Sequence, residues 1–135
     1  FRRVLFRSTT FLHENLKNTL VINSKVDSRS NLQEAPLMKP NNELRVRIEP
    51  DTNTIFIGID TMRAYLKEVG KIELDDFVKK LKEHNVLHRR SGELKVLHKG
   101  LDISGAGKRC LWIDNSTFED IKTNNLPLDI PRSVN

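Results

Sequence analysis

The basic residues between 77 and 109 are the side chains whose chemistry is clearest from the sequence. This stretch holds nine basic and three acidic residues, whereas the rest of the chain is close to balanced. Lysine and arginine neutralise backbone phosphates and give salt-dependent binding that is largely independent of base sequence. We therefore predict that DNA phosphates are contacted by Lys79, Lys80, Lys82, Arg89, Arg90, Lys95, Lys99, Lys108 and Arg109. The alternative is a solvated, charged face without a partner.

Other patterns give little support for catalysis or a cofactor. The segment 104–109, SGAGKR, resembles a phosphate-binding loop, but the first glycine of that motif is missing and Arg109 replaces the hydroxyl residue. His84 and His88 are four residues apart, yet Cys110 is the only cysteine and completes no metal-ligand set. We expect no catalytic residue, no cofactor and no metal.

Three further side chains have two interpretations each. Cys110 is either a small core residue or, remotely, a nucleophile, and no ordered base is visible beside it. Tyr65 and Trp112 are either core residues or platforms for a single-stranded base. The single cysteine suits a reducing cytosol, and no apolar run approaches the roughly 18 residues that a membrane span needs.

The first eight residues, FRRVLFRS, are predicted to be an artefact. The codons TTC AGA CGT GTG CTC TTC CGA TCT encode this string and are similar to the end of a widely used sequencing-library adapter. Segments of that origin are left out of fold reasoning. Without them the net charge of +5 falls by three, and we expect that an upstream part of the protein is missing.

Residues 9–42 are predicted to be the remnant of that upstream domain followed by a linker. Residues 9–23 have apolar residues at helical spacing and then a β-rich Leu20-Val21-Ile22, so they fit either a helix or a last strand. Residues 24–42 are polar and contain two prolines, which is typical of a linker. A domain boundary is therefore expected near residue 42.

Residues 43–122 are predicted to form a small α+β domain. Alternating apolar residues on both sides of the turn sequence EPDTN indicate a β-hairpin over 44–59. Apolar residues at i, i+3, i+4 and i+7 predict one helix that ends at Gly70 and a second that runs from about Glu73 to Asn85. Short strands are expected at 86–88, 94–97 and 108–114, and residues 123–135 are expected to be a flexible tail.

This order of elements is that of a winged helix without its usual first helix. The two helices would form the helix-turn-helix, and the following hairpin would form the wing. Several small α+β domains share that order, so the winged helix is a hypothesis about fold rather than function.

A loose series of motifs also resembles the C-terminal region of phage and plasmid replication proteins of the primase–helicase type. The motifs are FLHENLKNTLVIN, EAPLMKP, LRVRIEPDTNTIFI, MRAYL and HKGLDISGAGKRCLWID, within residues 11–114. The resemblance implies a non-catalytic accessory module whose ATPase or primase domain lies upstream. Two alternatives stay open: a protein-interaction domain whose hairpin docks on that upstream domain, or a standalone winged-helix transcription regulator.

Overall fold

The computed structural model describes residues 2–25, 36–41, 43–70, 72–101 and 105–116. Within them, three helices run over Arg2–Glu14 (α1), Ile59–Val69 (α2) and Leu74–Glu83 (α3). Five strands run over Thr19–Val21 (β1), Val46–Glu49 (β2), Thr54–Gly58 (β3), Leu94–Lys95 (β4) and Lys108–Asp114 (β5). The predicted α+β class is confirmed.

The five strands form one sheet in the order β1-β2-β3-β5-β4. β1 is parallel to β2, and the other neighbours are antiparallel. The predicted hairpin is confirmed as β2 and β3, and both of its strands are internal because β1 and β5 flank them. Between Val46 and Gly58, the exposed residues are those of the turn at 50–53.

One face of the sheet, here called the helix face, carries the apolar residues of the central strands. Val46, Ile55, Ile57, Leu111 and Ile113 are buried there in one cluster with side chains from all three helices. Residues of opposite parity on the same strands point to the other side, because successive side chains of a strand alternate. That second side, here called the loop face, carries Leu20, Arg47, Phe56 and Trp112 in register across four strands.

The helix ends follow the predicted signals. α2 is followed by Gly70, whose amide donates to the carbonyl of Leu66. α3 is followed by a turn in which Asn85 has φ 56°, in the left-handed region that asparagine tolerates better than most residues. Phe77 and Leu81 on α3 are fully buried, so its apolar stripe faces the core as the spacing predicts.

The N-terminal segment differs from its prediction in structure. Residues 2–8 form the first half of α1 and bury Val4 and Leu5 in the main core. The prediction that residues 1–8 are translated from a sequencing adapter concerns the origin of the DNA and stays a prediction.

The structure also differs from the predicted boundary near residue 42. β1 precedes that point and pairs with β2 beyond it, and the Arg45 amide donates to the carbonyl of Asn18. Leu20 and Ile22 are fully buried and pack with Leu44. Of the two alternatives for residues 9–23, each describes one part: the segment is helical up to Glu14, at the end of α1, and forms a strand over Thr19–Val21, which pairs with β2.

Some predictions fall outside the described residues. These are most of the linker, at 26–35 and 42, the start of the segment SGAGKR at 104, and the chain from 117 onward, including the predicted tail at 123–135.

Candidate nucleic-acid interface

The predicted phosphate-contact residues fall into two groups, and the first lies on α3. Leu74, Phe77 and Leu81 turn inward, which leaves the lysines of this helix exposed. Lys80 lies 3.8 Å from the Glu83 carboxylate, one turn further along. Among the described residues, no carboxylate pairs with the other two, Lys79 and Lys82. α3 also has Asp75 and Asp76 in its first turn, so its positive charge is concentrated in its second half.

The second group lies along the outer edge of β5. The chain leaving α3 runs antiparallel to β5 over residues 86–95, first through a bridge between Leu87 and Ile113 and then through β4. Of the predicted strand at 86–88, only Leu87 forms a bridge, so this segment is not a regular strand. The predicted strand at 94–97 is confirmed for its first two residues, which form β4. Residues 89–91 interrupt the pairing as a turn, which projects Arg89 from the edge of the sheet.

Five arginines and lysines of this edge are exposed. Arg90 pairs with Glu93 at 2.6 Å, and its guanidinium lies 4.9 Å from the centre of the Trp112 ring. The remaining four have no ion pair with any residue of the described ranges, and they are Arg89, Lys99, Lys108 and Arg109. Together with Lys79 and Lys82 they are called the unpaired basic set below.

Lys95 behaves differently from the other predicted contact residues. Its side chain is 18% exposed, and its Nζ lies 3.0 Å from Glu49 Oε2. The ammonium also lies 4.5 Å from the centre of the Phe56 ring and 5.6 Å from that of Trp112. Its charge is therefore directed into the protein, where a carboxylate and two aromatic rings stabilise it.

Glu49 belongs to a buried ionic network on the loop face that the sequence did not reveal. Arg47 is fully buried, and its Nε donates to Glu49 Oε2 at 2.7 Å. Its Nη1 donates to the carbonyl oxygens of Leu97 and Lys99 at 3.0 and 2.5 Å. Because side chains alternate along a strand, Arg47 and Val46 point to different faces of the sheet. Only the tertiary fold shows that the loop face, which carries Arg47, is covered. The one feature of the sequence that could have indicated this network is the pair of opposite charges, Arg47 and Glu49, two residues apart on one predicted strand.

The network holds the Glu49 carboxyl in its charged form. Burial alone raises the pKa of this group, but the hydrogen bonds and charges of Arg47 and Lys95 outweigh burial and leave the pKa below its ordinary value of 4.5. Three ionised groups are therefore packed together beneath the segment that follows β4.

The remaining chemical candidates have structural roles. Cys110 is buried, its thiol donates to the Lys108 carbonyl, and burial raises its pKa to about 11. The thiolate that a nucleophile needs is therefore scarce at neutral pH. Tyr65 is buried edge-on against Phe11, and the core interpretation is confirmed for both Cys110 and Tyr65. Trp112 is half-buried and packs edge-on against Phe56.

Two kinds of feature are absent from the described residues. No group of three or more histidine, cysteine or acidic side chains in these ranges could hold a metal ion. No helix formed by these residues is long and apolar enough to cross a membrane.

Comparison with known proteins supplies no relative. No protein-family model, curated protein or solved structure matches this chain.

Proposed function

We propose that this chain is a nucleic-acid-binding module that contacts DNA mainly through its phosphates. One observation carries the proposal: the unpaired basic set is exposed on α3 and along the β5 edge without carboxylates to neutralise it among the described residues. Outside this region, exposed Arg45 pairs with Glu43 and exposed Arg63 with Asp60, but other exposed cations, such as Arg3 and Lys67, also have no ion pair among the described residues. The region is set apart by its concentration of charge, with nine basic and three acidic residues between 77 and 109. Unneutralised cations concentrated in one part of the chain are the electrostatic footprint of a phosphate ligand.

The register of β4 and β5 gives independent support. Lys95 lies directly opposite Lys108, and like charges in that position destabilise a strand pair. Glu49 neutralises Lys95 from inside, whereas Lys108 stays exposed. Lys108 and Arg109 are successive residues of β5 and point to opposite sides of the sheet, so a DNA backbone passing this edge would neutralise them with two different phosphates.

In finer detail, we propose a winged-helix-like use of these elements. α3 would lie against the duplex as the recognition helix, and the turn at 89–91 with the start of β5 would act as the wing. α3 exposes lysine and glutamate rather than the arginine, asparagine and glutamine that read bases by paired hydrogen bonds. We therefore propose backbone contacts with little base preference.

We further propose that the module serves replication of a phage or other mobile element in a bacterial cytoplasm. This rests on the resemblance to primase–helicase-type proteins. In that setting the module is a non-catalytic accessory, and the upstream domain of the same polypeptide is its second partner.

The test is a salt titration of DNA binding by the full chain. Labelled duplex and forked DNA would be titrated by fluorescence anisotropy at several salt concentrations. Log affinity should fall linearly with log salt, at about 0.9 for each phosphate contacted. Lys79→Ala and Arg89→Ala should each weaken binding to every sequence to a similar extent and reduce the slope by about one.

The matched control is Arg63→Ala, which removes one exposed positive charge on α2, outside the unpaired basic set. It should leave both affinity and slope close to those of the unmodified chain. Binding that is absent at low salt, or that Arg63→Ala weakens as much as Lys79→Ala does, would rule out the proposed surface.

A protein-docking function is the second candidate, and one observation favours it. Leu94 is 64% exposed and Val96 38% exposed beside the outer strand β4. An apolar sheet edge can add a strand from another polypeptide. The hairpin β2–β3 is less suited to docking by strand addition, because both of its strands already have neighbours. Leu94→Ser should reduce protein docking without changing the salt dependence of DNA binding.

A further inference from the structure

The segment from 96 to 101 covers the loop face with little backbone pairing of its own. Its internal hydrogen bonds are two turns, from the Lys99 amide to the Val96 carbonyl at 3.3 Å and from the Leu101 amide to the His98 carbonyl at 2.9 Å. Leu97 is buried against Phe56. Because the segment pairs with no strand, its position depends on the side chains that hold it.

Arg47 and Glu49 supply the polar attachments of this segment and of Lys95 before it, while Leu97 and Leu101 attach it through apolar contacts with Phe56 and with Leu20 and Ile22. Arg47 donates to the carbonyls of Leu97 and Lys99, and Glu49 accepts from Lys95. Two residues of β2 thus hold positions 95, 97 and 99 of a segment that lies about fifty residues further along the chain. The Arg47 guanidinium contacts no solvent, and its Nη2 has no hydrogen-bond partner among the described residues.

Stability alone is a weak reason for this arrangement. Replacing a buried ionic network by apolar side chains of similar volume is often neutral or stabilising. The network here does what apolar residues do not, because it fixes the backbone at two carbonyls that bracket His98. Lys99, whose own carbonyl is held, exposes a side chain of the unpaired basic set.

We propose that Arg47 is a positioning residue for nucleic-acid binding, which acts by fixing the segment 95–99 so that Lys99 faces the phosphate backbone. This inference rests on the proposed function. It assigns a role in binding to a side chain that never touches the ligand. Preorganisation of the segment in the free protein reduces the entropy lost when DNA binds.

The first measurement is native-state hydrogen exchange of the full chain carrying Arg47→Met. Methionine keeps length and removes the donors. The amides of Lys99 and Leu101 should exchange about tenfold faster, because their turns lose the attachment that keeps them closed. The β3 amides should change only as far as global stability does. Arg63→Met removes the same charge from an exposed arginine and should change neither set.

The second measurement is a double-mutant cycle on DNA affinity. Lys99→Ala should weaken binding of the unmodified chain about threefold and should have almost no further effect in the Arg47→Met background. Lys79→Ala, on α3, should keep its full effect in both backgrounds. This difference separates positioning of one segment from general loss of structure.

The outcomes distinguish the two proposals. Full additivity of Arg47→Met and Lys99→Ala in a chain that binds DNA would overturn the positioning role and leave the proposed function standing. Absence of salt-dependent binding in the unmodified chain would overturn both. If circular dichroism shows that Arg47→Met does not fold, Glu49→Gln replaces it in the same two measurements, since it removes the ionic partner of both Arg47 and Lys95.

Discussion

The two faces of the sheet are buried by different means. On the helix face, branched aliphatic side chains of β2, β3 and β5 meet Phe77 and Leu81 of α3 in a continuous apolar core. On the loop face, Phe56 and Cys110 lie beside a buried Arg47 and Glu49, and a segment without regular pairing covers them.

The difference lies in where each face obtains its specificity. Apolar packing on the helix face depends on the complementary shapes of the side chains, and it allows all three helices to share one core. Hydrogen bonds on the loop face have defined donors and acceptors, so they fix a particular segment at particular carbonyls. The helix face buries most of the apolar side chains, and the hydrogen bonds of the loop face hold the segment after β4.

The largest expected effect is a loss of stability from a change in the core of the helix face. Phe77→Ala removes a fully buried ring from α3 and should lower the free energy of unfolding by about 3–5 kcal/mol. Urea denaturation followed by circular dichroism measures the loss. Val69→Ala, at a partly exposed position on α2, is the control and should cost far less. Equal losses in the two variants would contradict the described core.

A smaller effect is expected on the loop face. Glu49→Gln keeps the size of the side chain but weakens its charged hydrogen bonds to Arg47 and Lys95. The free energy of unfolding at neutral pH should fall by about 1.5–3 kcal/mol. Glu93→Gln, in the exposed pair with Arg90, is the control and should change stability by less than about 1 kcal/mol. A Glu49→Gln variant as stable as the unmodified chain would show that the network is not formed.

The smallest expected effect concerns pH: the difference in unfolding free energy between the unmodified chain and Glu49→Gln should disappear in acid. The folded-state pKa of Glu49 lies below its ordinary value of 4.5, so the charged carboxyl stabilises the fold above that value. As pH falls through the folded-state pKa the contribution is lost, and the stability gap between the unmodified chain and Glu49→Gln should close.

Urea denaturation at a series of pH values below neutrality measures this closure. Asp51 also has a pKa below its ordinary value: burial raises it slightly, but hydrogen bonds from Ser24 outweigh that effect. Asp51→Asn is therefore the control for acid effects elsewhere, and it should leave the gap at position 49 unchanged. A gap that stays constant as the pH falls through 4.5 would mean that folding does not lower the pKa of Glu49, so that Arg47 and Lys95 do not stabilise its charge.

Local sequence patterns predicted the elements of this fold well. The apolar spacing of α2 and α3, the stop at Gly70, the left-handed Asn85 and the hairpin around 50–53 all depend on contacts within a few residues. The same holds for β5, in which Leu111 and Ile113 point to one face of the sheet and Cys110 and Trp112 to the other, as their alternation predicts.

Features set by distant contacts could not be read in the same way. Alternation shows which side of β2 Arg47 faces, but the carbonyls that bury it lie about fifty residues away. For the same reason Lys95 was grouped with exposed cations, although Glu49 binds it inside the protein. The pairing of β1 with β2 likewise spans a polar segment that local composition marks as a linker. Composition did locate the concentration of basic residues between 77 and 109, since this needs no tertiary information, but it did not show which of them have ionic partners.

The position of β5 in the sheet has a consequence for synthesis. β5 is the last strand in chain order within the described residues, yet it lies between β3 and β4 and pairs with β3 along five residues. Until residue 114 has left the ribosome, β3 therefore presents an open edge with Phe56 and Ile57 beside it. Unpaired edges with apolar neighbours recruit other strands. A nascent chain stalled before residue 108 would be the species of this protein most prone to aggregation.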